Sequence, residues 1–502
     1  MKKWLKRIGI GFACLIMIIG VTVFVMMQMS KFPSSMNMGM GMSGNMNMSN
    51  NVKTTSVTSL TQSCTNAPIK KFTLVAENKT IHRAGQKIQG YTFNGASPGP
   101  TLVINQGDCL EVHLINHASV GVTIHWHGVN VPNADDGVAG VTQNVVPPKG
   151  KFTYRFVVNK PGTYWYHSHQ ESYKETDGGL FGVLIVNPKV PEVHYDRDYV
   201  ATLHDWGKTV FTVNDTSDGA HFAAKPGEFV RLRIVNSGDN EHDMTLVGAL
   251  FKVIAIDANN INKPTDISNK TLPIAPSQRY DIVFQMPKTG VVKLINVDSG
   301  AASQFTPDSS AENKMLNATF GSCSIKINTA QVRKWKFFDY STYGIPVTTA
   351  DGLSNQTQFN VVDNIILGNS LGFYNGAFTM KFTMNGKTME NLPPLMVKLG
   401  DKVKIHFDNP TNIPHAMHLH GHDFIVLDQN GHPMSGSPIY MNTVMVNPHE
   451  SVDIAFVANN PGLWMLHCHM LGHAYNGMDM AVDYQGVTTP YRVGSASGNF
   501  PD

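Results

Sequence analysis

The chain has 502 residues, which is too long for one hydrophobic core and suits about three domains of ordinary size. Its 39 Lys and Arg residues nearly balance its 37 Asp and Glu residues, and a net charge of +2 gives no electrostatic case for nucleic acid as a partner. Frequent Gly and Pro residues and short alternating apolar runs predict an all-β chain of antiparallel sandwiches.

Residues 1–30 are a membrane-directing segment. Four basic residues precede an apolar run from Ile8 to Met27, namely Lys2, Lys3, Lys6 and Arg7. The run has about the twenty residues that a bilayer-spanning helix needs, and the basic flank stays in the cytoplasm, so the rest of the chain is expected outside. No Ala-x-Ala site follows, which favours an uncleaved anchor over a cleaved signal peptide and leaves secretion as the alternative. Gly11-Phe12-Ala13 is a poor context for lipidation of Cys14.

Residues 31–64 are rich in Met, Gly, Ser and Asn and predict a flexible tether. Its methionines run from Met36 to Met48. Thioether sulfur is a soft ligand that selects Cu(I) over hard ions. The segment is therefore either a Cu(I)-binding tether or a plain linker whose methionines bind nothing.

Cys64, Cys109 and Cys323 lie outside the apolar segment and the histidine-rich motifs. Three cysteines are an odd number for an oxidising compartment. One disulfide is expected, but the sequence does not say which pair forms it, and three buried free thiols are the alternative.

An internal repeat predicts three copies of one domain. A turn followed by an alternating strand occurs at Gln106–Asn116, at Pro226–Asn236 and again at Leu399–Asn409. A second repeat aligns residues 161–169 with residues 461–469. We therefore predict domains at 65–190, 191–330 and 331–502, after the membrane segment at 1–30 and the tether at 31–64.

Histidine pairs occur in the first and third copies. They are His125-x-His127, His167-x-His169, His418-x-His420 and His467-x-His469. On a strand, each pair places two rings on one face about 7 Å apart, close enough to serve neighbouring metal ions. A single such pair could equally be a strand edge or a satisfied core histidine. Four pairs together predict one metal cluster between the first and third domains.

Cys468 lies in the middle of the last pair. With His473, a weak axial thioether from Met478 and the distant His415, it completes the ligand set of a blue-copper electron-transfer site. Successive side chains of a strand point to opposite faces, so His467 and His469 project away from the thiolate. The segment predicts a covalent path from an electron-accepting copper to a histidine-bound cluster. In the middle copy, Thr245 and Val247 replace the cluster histidines, which predicts a copper-free spacer.

These four motifs resemble the three-domain multicopper oxidases, a family that includes laccases, copper-efflux oxidases and bilirubin-oxidase-like enzymes. The resemblance covers nearly all of the chain after residue 65 and implies three consecutive cupredoxin-like Greek-key β-sandwich domains and four coppers. It implies a type 1 copper held by His415, Cys468, His473 and Met478, and a type 2 copper held by His125 and His418. It also implies a type 3 pair, with one ion on His127, His167 and His469 and the other on His169, His420 and His467.

Two proton-related positions follow from the same resemblance. Many laccase-like members carry Glu directly after the last type 1 histidine, whereas this chain has Ala474. The family's Asp-Gly after the first histidine pair resembles Asp136-Gly137, with Asp135 beside it. Both carboxylates are candidates for proton delivery. The alternative is that they only shape a turn, where Asp-Gly is common.

The implied activity is one-electron oxidation of a reducing substrate coupled to four-electron reduction of O2 to water. The methionine segment favours Cu(I) and copper tolerance, with phenols close behind and Mn(II) or Fe(II) as the alternative. Copper nitrite reductase and a non-enzymatic cupredoxin-fold scaffold are remote alternatives, because the former lacks the complete set of cluster histidines and the latter has lost its ligands.

Overall fold

The structure is a computed structural model that describes residues 2–38, 54–207, 210–214, 221–297, 302–307 and 329–502. It begins with a single long helix, α1 (Lys2–Met29), whose apolar stretch Gly9–Met29 is long enough to cross a membrane and is not buried against the rest of the protein. An apolar helix satisfies all of its backbone hydrogen bonds internally, which is what a membrane requires.

The first sandwich follows residue 54. Its strands pair in the orders β3-β2-β5-β7 and β4-β9-β8-β6, so that two four-stranded sheets face each other. The elements are β1 (Thr55–Ser56), β2 (Ile69–Arg83), β3 (Gln86–Phe93), β4 (Leu102–Asn105), β5 (Cys109–Asn116), β6 (His125–His127), β7 (Lys151–Val157), β8 (Gly162–His167), α2 (Ser172–Glu175) and β9 (Phe181–Asn187), with short 3-10 turns at Val57–Ser59 and Asn133–Asp135.

The middle sandwich has two six-stranded sheets, in the orders β11-β10-β13-β18-β15-β16 and β12-β20-β19-β14-β17-β21. Its elements are β10 (Arg197–Trp206), β11 (Val210–Val213), β12 (His221–Ala224), β13 (Phe229–Asn236), β14 (His242–Val247), β15 (Phe251–Ile256), β16 (Asn259–Asn260), β17 (Lys270–Ile274), β18 (Arg279–Gln285), β19 (Val292–Asn296), β20 (Ala302–Pro307), α3 (Thr329–Val332) and β21 (Lys336–Phe337).

The third sandwich packs a sheet ordered β23-β22-β25-β31-β27-β28, to which β29 adds beside β27, on a sheet ordered β24-β33-β32-β26-β30. Its elements are β22 (Val361–Tyr374), β23 (Ala377–Met384), a 3-10 turn at Met389–Asn391, β24 (Leu395–Val397), β25 (Lys402–Asp408), β26 (His415–Leu419), β27 (Phe424–Gln429), β28 (His432–Pro433), β29 (Tyr440–Met441), β30 (Thr443–Val446), β31 (Ser451–Val457), β32 (Leu463–Cys468), α4 (Leu471–Tyr475), β33 (Asp479–Tyr484) and β34 (Val487–Thr488).

The predicted repeat has the same place in all three sandwiches. β5, β13 and β25 each pair in parallel with the strand before them in the sheet and antiparallel with the strand after them. The turn before each strand needs a left-handed residue, and Gly107, Gly227 and Gly400 supply it with φ of 92°, 86° and 91°. The prediction of three consecutive β-sandwiches is confirmed, while the domain boundaries at 190 and 330 stay predictions.

The prediction of a flexible tether at residues 31–64 is wrong for both ends of that segment. Met36 exchanges two backbone hydrogen bonds of 2.8 Å with Val493, and Met36 and Met38 are buried. The chain also re-enters the body at β1, which pairs in parallel with β34. Methionine is apolar and adaptable enough to fill a core, so composition alone misjudged this stretch. Residues 39–53, with Met40, Met42, Met46 and Met48, lie outside the described residues.

The disulfide that the sequence left open joins Cys64 to Cys109, with their Cα atoms 5.8 Å apart. It fixes the start of the first sandwich to β5. Cys14 is exposed on α1 and Cys468 is a buried free thiol. Cys323 lies outside the described residues.

Candidate metal centres

Four short strands bring the predicted histidine pairs together. β6 pairs antiparallel with β8 so that His125 lies opposite His167, and β26 pairs with β32 so that His418 lies opposite His467. The first pair of strands belongs to the first sandwich and the second pair to the third. The rings meet across the boundary between these sandwiches, where the rings of His127 and His418 stack with centroids 3.8 Å apart.

The eight rings form one compact buried cluster. His125 stacks on His420 with centroids 3.8 Å apart, and His169 and His467 are 5.3 Å apart. Three groups of rings have ligand atoms within 4.8 Å of one another, and they are His125, His418 and His420, then His125, His127 and His167, then His169, His420 and His467. His469 adjoins them, with its ring 4.8 Å from that of His127.

The imidazoles are oriented by hydrogen bonds on one side of each ring. Six rings donate from Nδ1 to an oxygen, and these bonds are His125 to Asp136 O (2.9 Å), His167 to Ser168 O (3.0 Å), His169 to Pro501 O (2.7 Å), His418 to Asn442 O (2.6 Å), His420 to Asp136 Oδ2 (3.0 Å) and His467 to Cys468 O (3.2 Å). A proton on Nδ1 leaves a lone pair on Nε2, the atom that a metal ion would bind.

On several of these rings the Nε2 atom has no hydrogen-bond partner in the part of the chain that the structure describes. Among the described residues, Nε2 of His125, His167, His169 and His418 is buried and makes no hydrogen bond. Nε2 of His420 lies 3.1 Å from Nε2 of His467, although both rings carry their proton on Nδ1. Two facing lone pairs repel each other unless a cation lies between them. The donor set therefore fits metal ions that prefer neutral imidazole.

Asp136 holds two rings of the cluster. Its carboxylate is fully buried, with Oδ1 3.1 Å from His125 Nδ1 and Oδ2 accepting from His420 Nδ1 at 3.0 Å. A carboxylate behind a ligating histidine fixes its tautomer and ring orientation. Asp135 is turned away and accepts the Arg155 backbone N–H at 2.8 Å, and burial raises the pKa of Asp135 to about 7.

A second group lies behind β32. Cys468 Sγ is 3.4 Å from His473 Nδ1 and 3.9 Å from His415 Nδ1, and these three residues form one candidate metal group. The buried Met478 accepts the Cys468 backbone N–H at 3.1 Å through its carbonyl. The ring of Phe382 stacks on His473 with centroids 3.8 Å apart.

Burial sets the protonation of this second group. It lowers the pKa of His415 to about 4, and burial together with His415 lowers the pKa of His473 to about 3, so both rings are neutral ligands at neutral pH. Burial also raises the pKa of Cys468 to about 12. A thiolate at this position therefore needs a bound cation to stabilise its charge.

Several residues near these groups escaped the sequence reasoning. Ser168, which takes the place of Cys468 in the first sandwich, donates at 2.5 Å to Glu175, whose pKa burial raises well above its usual range. Asp479 follows Met478 directly, and its burial and the neighbouring Asp502 raise its pKa well above the ordinary value. Of these residues, only Asp479 has a local sequence signal, since it directly follows Met478. Contacts between distant segments place Asp502, and Glu175 lies outside the histidine motifs.

Comparison with known proteins identifies the family. Three sequence models described as multicopper oxidase match residues 75–191, 157–293 and 367–486, which together span most of the chain. The chain belongs to the multicopper oxidase family. It is therefore a copper-containing oxidoreductase that uses oxygen as acceptor, and the two groups of ligands fit the four coppers of such an enzyme.

Individual relatives are distant. The chain is 28% identical over 478 residues to multicopper oxidase MmcO of Mycobacterium tuberculosis, covering 82% of this chain and 86% of that protein. It is 23% identical over 557 residues to a copper resistance protein A homolog of Pseudomonas syringae pv. tomato, covering 81% and 91%. A multi-copper oxidase structure from Pseudomonas thermotolerans superposes with a TM-score of 0.67 at 23% identity, covering 83% of this chain and 100% of that one, which supports the cupredoxin-like fold.

Proposed function

We propose that the two groups of ligands hold copper as the sequence motifs predict. His415, Cys468, His473 and Met478 would hold the type 1 ion. His125 and His418 would hold type 2, with one type 3 ion on His127, His167 and His469 and the other on His169, His420 and His467. The observation that carries the cluster assignment is that Nε2 of His125, His167, His169 and His418 is buried and has no hydrogen-bond partner among the described residues.

The chain's own residues connect the two groups. When bound, copper supplies the one-electron chemistry that joins oxidation of a donor to reduction of O2 to water. Cys468 is bonded through the backbone to His467 and His469, and it lies opposite Met417 on β26 while His467 lies opposite His418. The half-buried ring of His473 is the part of the type 1 group nearest to solvent, so a donor would dock there.

Asp136 and Asp135 are the candidates for proton delivery. Asp136 contacts two cluster rings directly and could hold or pass a proton there. The Asp135 carboxylate instead accepts a hydrogen bond from the Arg155 backbone N–H. We therefore assign the role at the cluster to Asp136, with Asp135 as a second carboxyl beside it.

The reductant that we favour is Cu(I), in the service of copper tolerance. The methionines of residues 40–48 are soft ligands, and one relative is a copper resistance protein homolog. Phenolic donors are the second candidate, and Mn(II) or Fe(II) the third. We further propose that α1 is an uncleaved anchor and that the sandwiches lie on the outer face of the membrane, because α1 is apolar and unburied and its basic residues lie at its start.

The test is to load the full chain with copper and to measure copper content, the visible spectrum and oxygen uptake. We expect four coppers per chain, an intense blue band and oxygen consumption with Cu(I). Cys468→Ser should lose the blue band and steady-state oxidation while it keeps most cluster copper, because His467 and His469 remain. Cys14→Ser, which changes the exposed thiol of α1, should behave like the unaltered protein. A Cys468→Ser variant that stays blue would refute the type 1 assignment.

A further inference from the structure

The hairpin formed by β22 and β23 carries a continuous apolar face. Phe373 lies opposite Phe378, and Leu371 lies opposite Met380. Directly opposed residues of an antiparallel pair project to the same face, and every second residue along a strand does so too. The face therefore runs from Phe373 and Phe378 at the tip to Phe382, which lies farther along β23.

The tip of this face is open. Leu371 is 66% exposed and Phe378 is 63% exposed, although the Phe378 ring contacts that of Phe373 with centroids 5.2 Å apart. At the other end, Met380 packs on the core and Phe382 is buried against His473. Exposed apolar side chains in a continuous patch mark a contact surface rather than ordinary scatter.

The same hairpin receives the end of the membrane helix. The Gly376 N–H in the turn donates to Ser30 Oγ at 3.3 Å, and the Phe32 N–H donates to Asn375 Oδ1 at 3.3 Å. A Cβ added at Gly376 would lie 3.3 Å from Cγ of Lys31 and 3.8 Å from the Met27 carbonyl oxygen. The turn of the hairpin thus sits where α1 ends at Met29.

We propose that the tip of the β22–β23 hairpin, made of Leu371, Phe373 and Phe378, inserts into the outer surface of the lipid bilayer that α1 crosses. The proposal rests on the proposed anchoring by α1. The bilayer is the occupant that the structure indicates, because a helix that spans it ends against this very turn. Phe and Leu side chains bury at the boundary between lipid headgroups and acyl chains, and Lys31 would lie at the headgroup level with its charge toward anionic lipid phosphate.

This contact would set the orientation of the type 1 group. Phe382 lies four residues beyond Phe378 on the same strand, about 13 Å along it at the usual strand rise. Its ring stacks on His473. His473 would therefore lie close to the bilayer surface, within reach of donors that arrive along it.

The experiment uses the full chain, loaded with copper and reconstituted in vesicles, with an environment-sensitive fluorophore on single cysteines. The variants are Leu371→Cys and Phe378→Cys, each in a background with Cys14→Ser and Cys323→Ser, since Cys468 is buried and Cys64 and Cys109 are bonded to each other. Val190→Cys is the control, because Val190 is 78% exposed in a loop between the first two sandwiches. Lipids that carry a quencher near the headgroup report contact with the bilayer.

We expect quenching by these lipids at Leu371 and Phe378 but not at Val190, and the blue band of each variant shows that it is folded. If the unaltered protein floats with vesicles but the hairpin probes are no more quenched than the control, the anchor stands and the hairpin contact is refuted. If the unaltered protein does not float, the anchor fails and the contact fails with it. Shielding of the tip that depends on protein concentration, without quenching by lipid, would show that a second copy covers the patch and would also overturn the proposal.

Discussion

Asp136 offers the most direct test of how the cluster is held. The change is Asp136→Asn, which preserves the size of the side chain and removes its charge. His420 would lose its 3.0 Å bond to Oδ2 and His125 its 3.1 Å contact with Oδ1, whereas the 2.9 Å bond from His125 to the Asp136 carbonyl would remain. Loss of such an outer partner typically weakens metal binding by 10–100-fold, or about 1.4–2.8 kcal/mol.

The assay is removal of copper by a graded series of chelator concentrations, followed by the electron paramagnetic resonance signal of the cluster and by the blue band. We expect cluster copper to leave Asp136→Asn at lower chelator concentration while the blue band persists, because the structure shows no contact between Asp136 and Cys468 among the residues it describes. If Asp136 also passes protons, the copper-saturated variant should reduce oxygen more slowly, with an altered pH profile.

Asp135→Asn is the matched control for this experiment. Asp135 is the neighbouring residue, is also buried, and hydrogen-bonds to the Arg155 backbone rather than to a histidine. Its variant should retain cluster copper like the unaltered protein. Equal retention in both variants would show that the carboxylate of Asp136 does not orient the rings, and preferential loss in Asp135→Asn would refute the argument altogether.

Three further predictions concern the first sandwich alone, the middle sandwich and the methionine segment. A fragment that ends near residue 190 should bind no coupled copper cluster, since it holds half of the eight histidines, and copper counting on the purified fragment checks this. Asp257→Asn in the middle sandwich should weaken the binding of type 2 copper selectively, because Asp257 accepts the backbone N–H groups of Asn442 and Thr443 and the Asn442 carbonyl accepts from His418. The expected result is loss of the type 2 paramagnetic signal before the blue band changes. Replacing the methionines within residues 39–53 with leucine should slow Cu(I) oxidation at limiting copper and leave oxidation of a phenol nearly unchanged, because a tethered soft ligand raises the local concentration of Cu(I) alone. Equal losses for both donors would contradict that role for the segment.

The sequence was sufficient for the groups whose spacing is local. Cys468 and His473 lie within one short segment, and their ligand atoms lie close to that of His415, while the role of Met478 as a ligand stays a prediction. The repeat also located three sandwiches, because a glycine turn followed by an alternating strand is visible without any long-range information. Both features rest on strand periodicity, which a single sequence displays directly.

Other features depend on contacts between distant segments and could not be predicted in this way. The segment around Met36 looked flexible by composition, yet it pairs with Val493 at the far end of the chain. The partner of Cys64 was undecidable because three candidate thiols had no distinguishing spacing. The carboxylate of Asp502 lies near the cluster only because the last residues fold back, so that Ser172 donates to it at 2.6 Å.

The middle sandwich contacts the segment that carries a hydrogen-bond partner of His418. Asp257 belongs to the middle sandwich, and its Oδ2 accepts the backbone N–H groups of Asn442 and Thr443 at 3.1 Å each. The Asn442 carbonyl in turn accepts from His418 Nδ1 at 2.6 Å. Arg279, fully buried, pairs with Asp257 and donates to the Asn442 side chain at 2.8 Å, so the charge of Asp257 is compensated where water is excluded.

The middle sandwich therefore acts on a ring of the third sandwich through the backbone. Thr245 and Val247 stand where ligands would be, and the same domain supplies Asp257 and Arg279 to hold His418 in its orientation. A cluster at a domain boundary is only as rigid as the relative position of the two domains, and a third domain that hydrogen-bonds the strand behind His418 restricts that position.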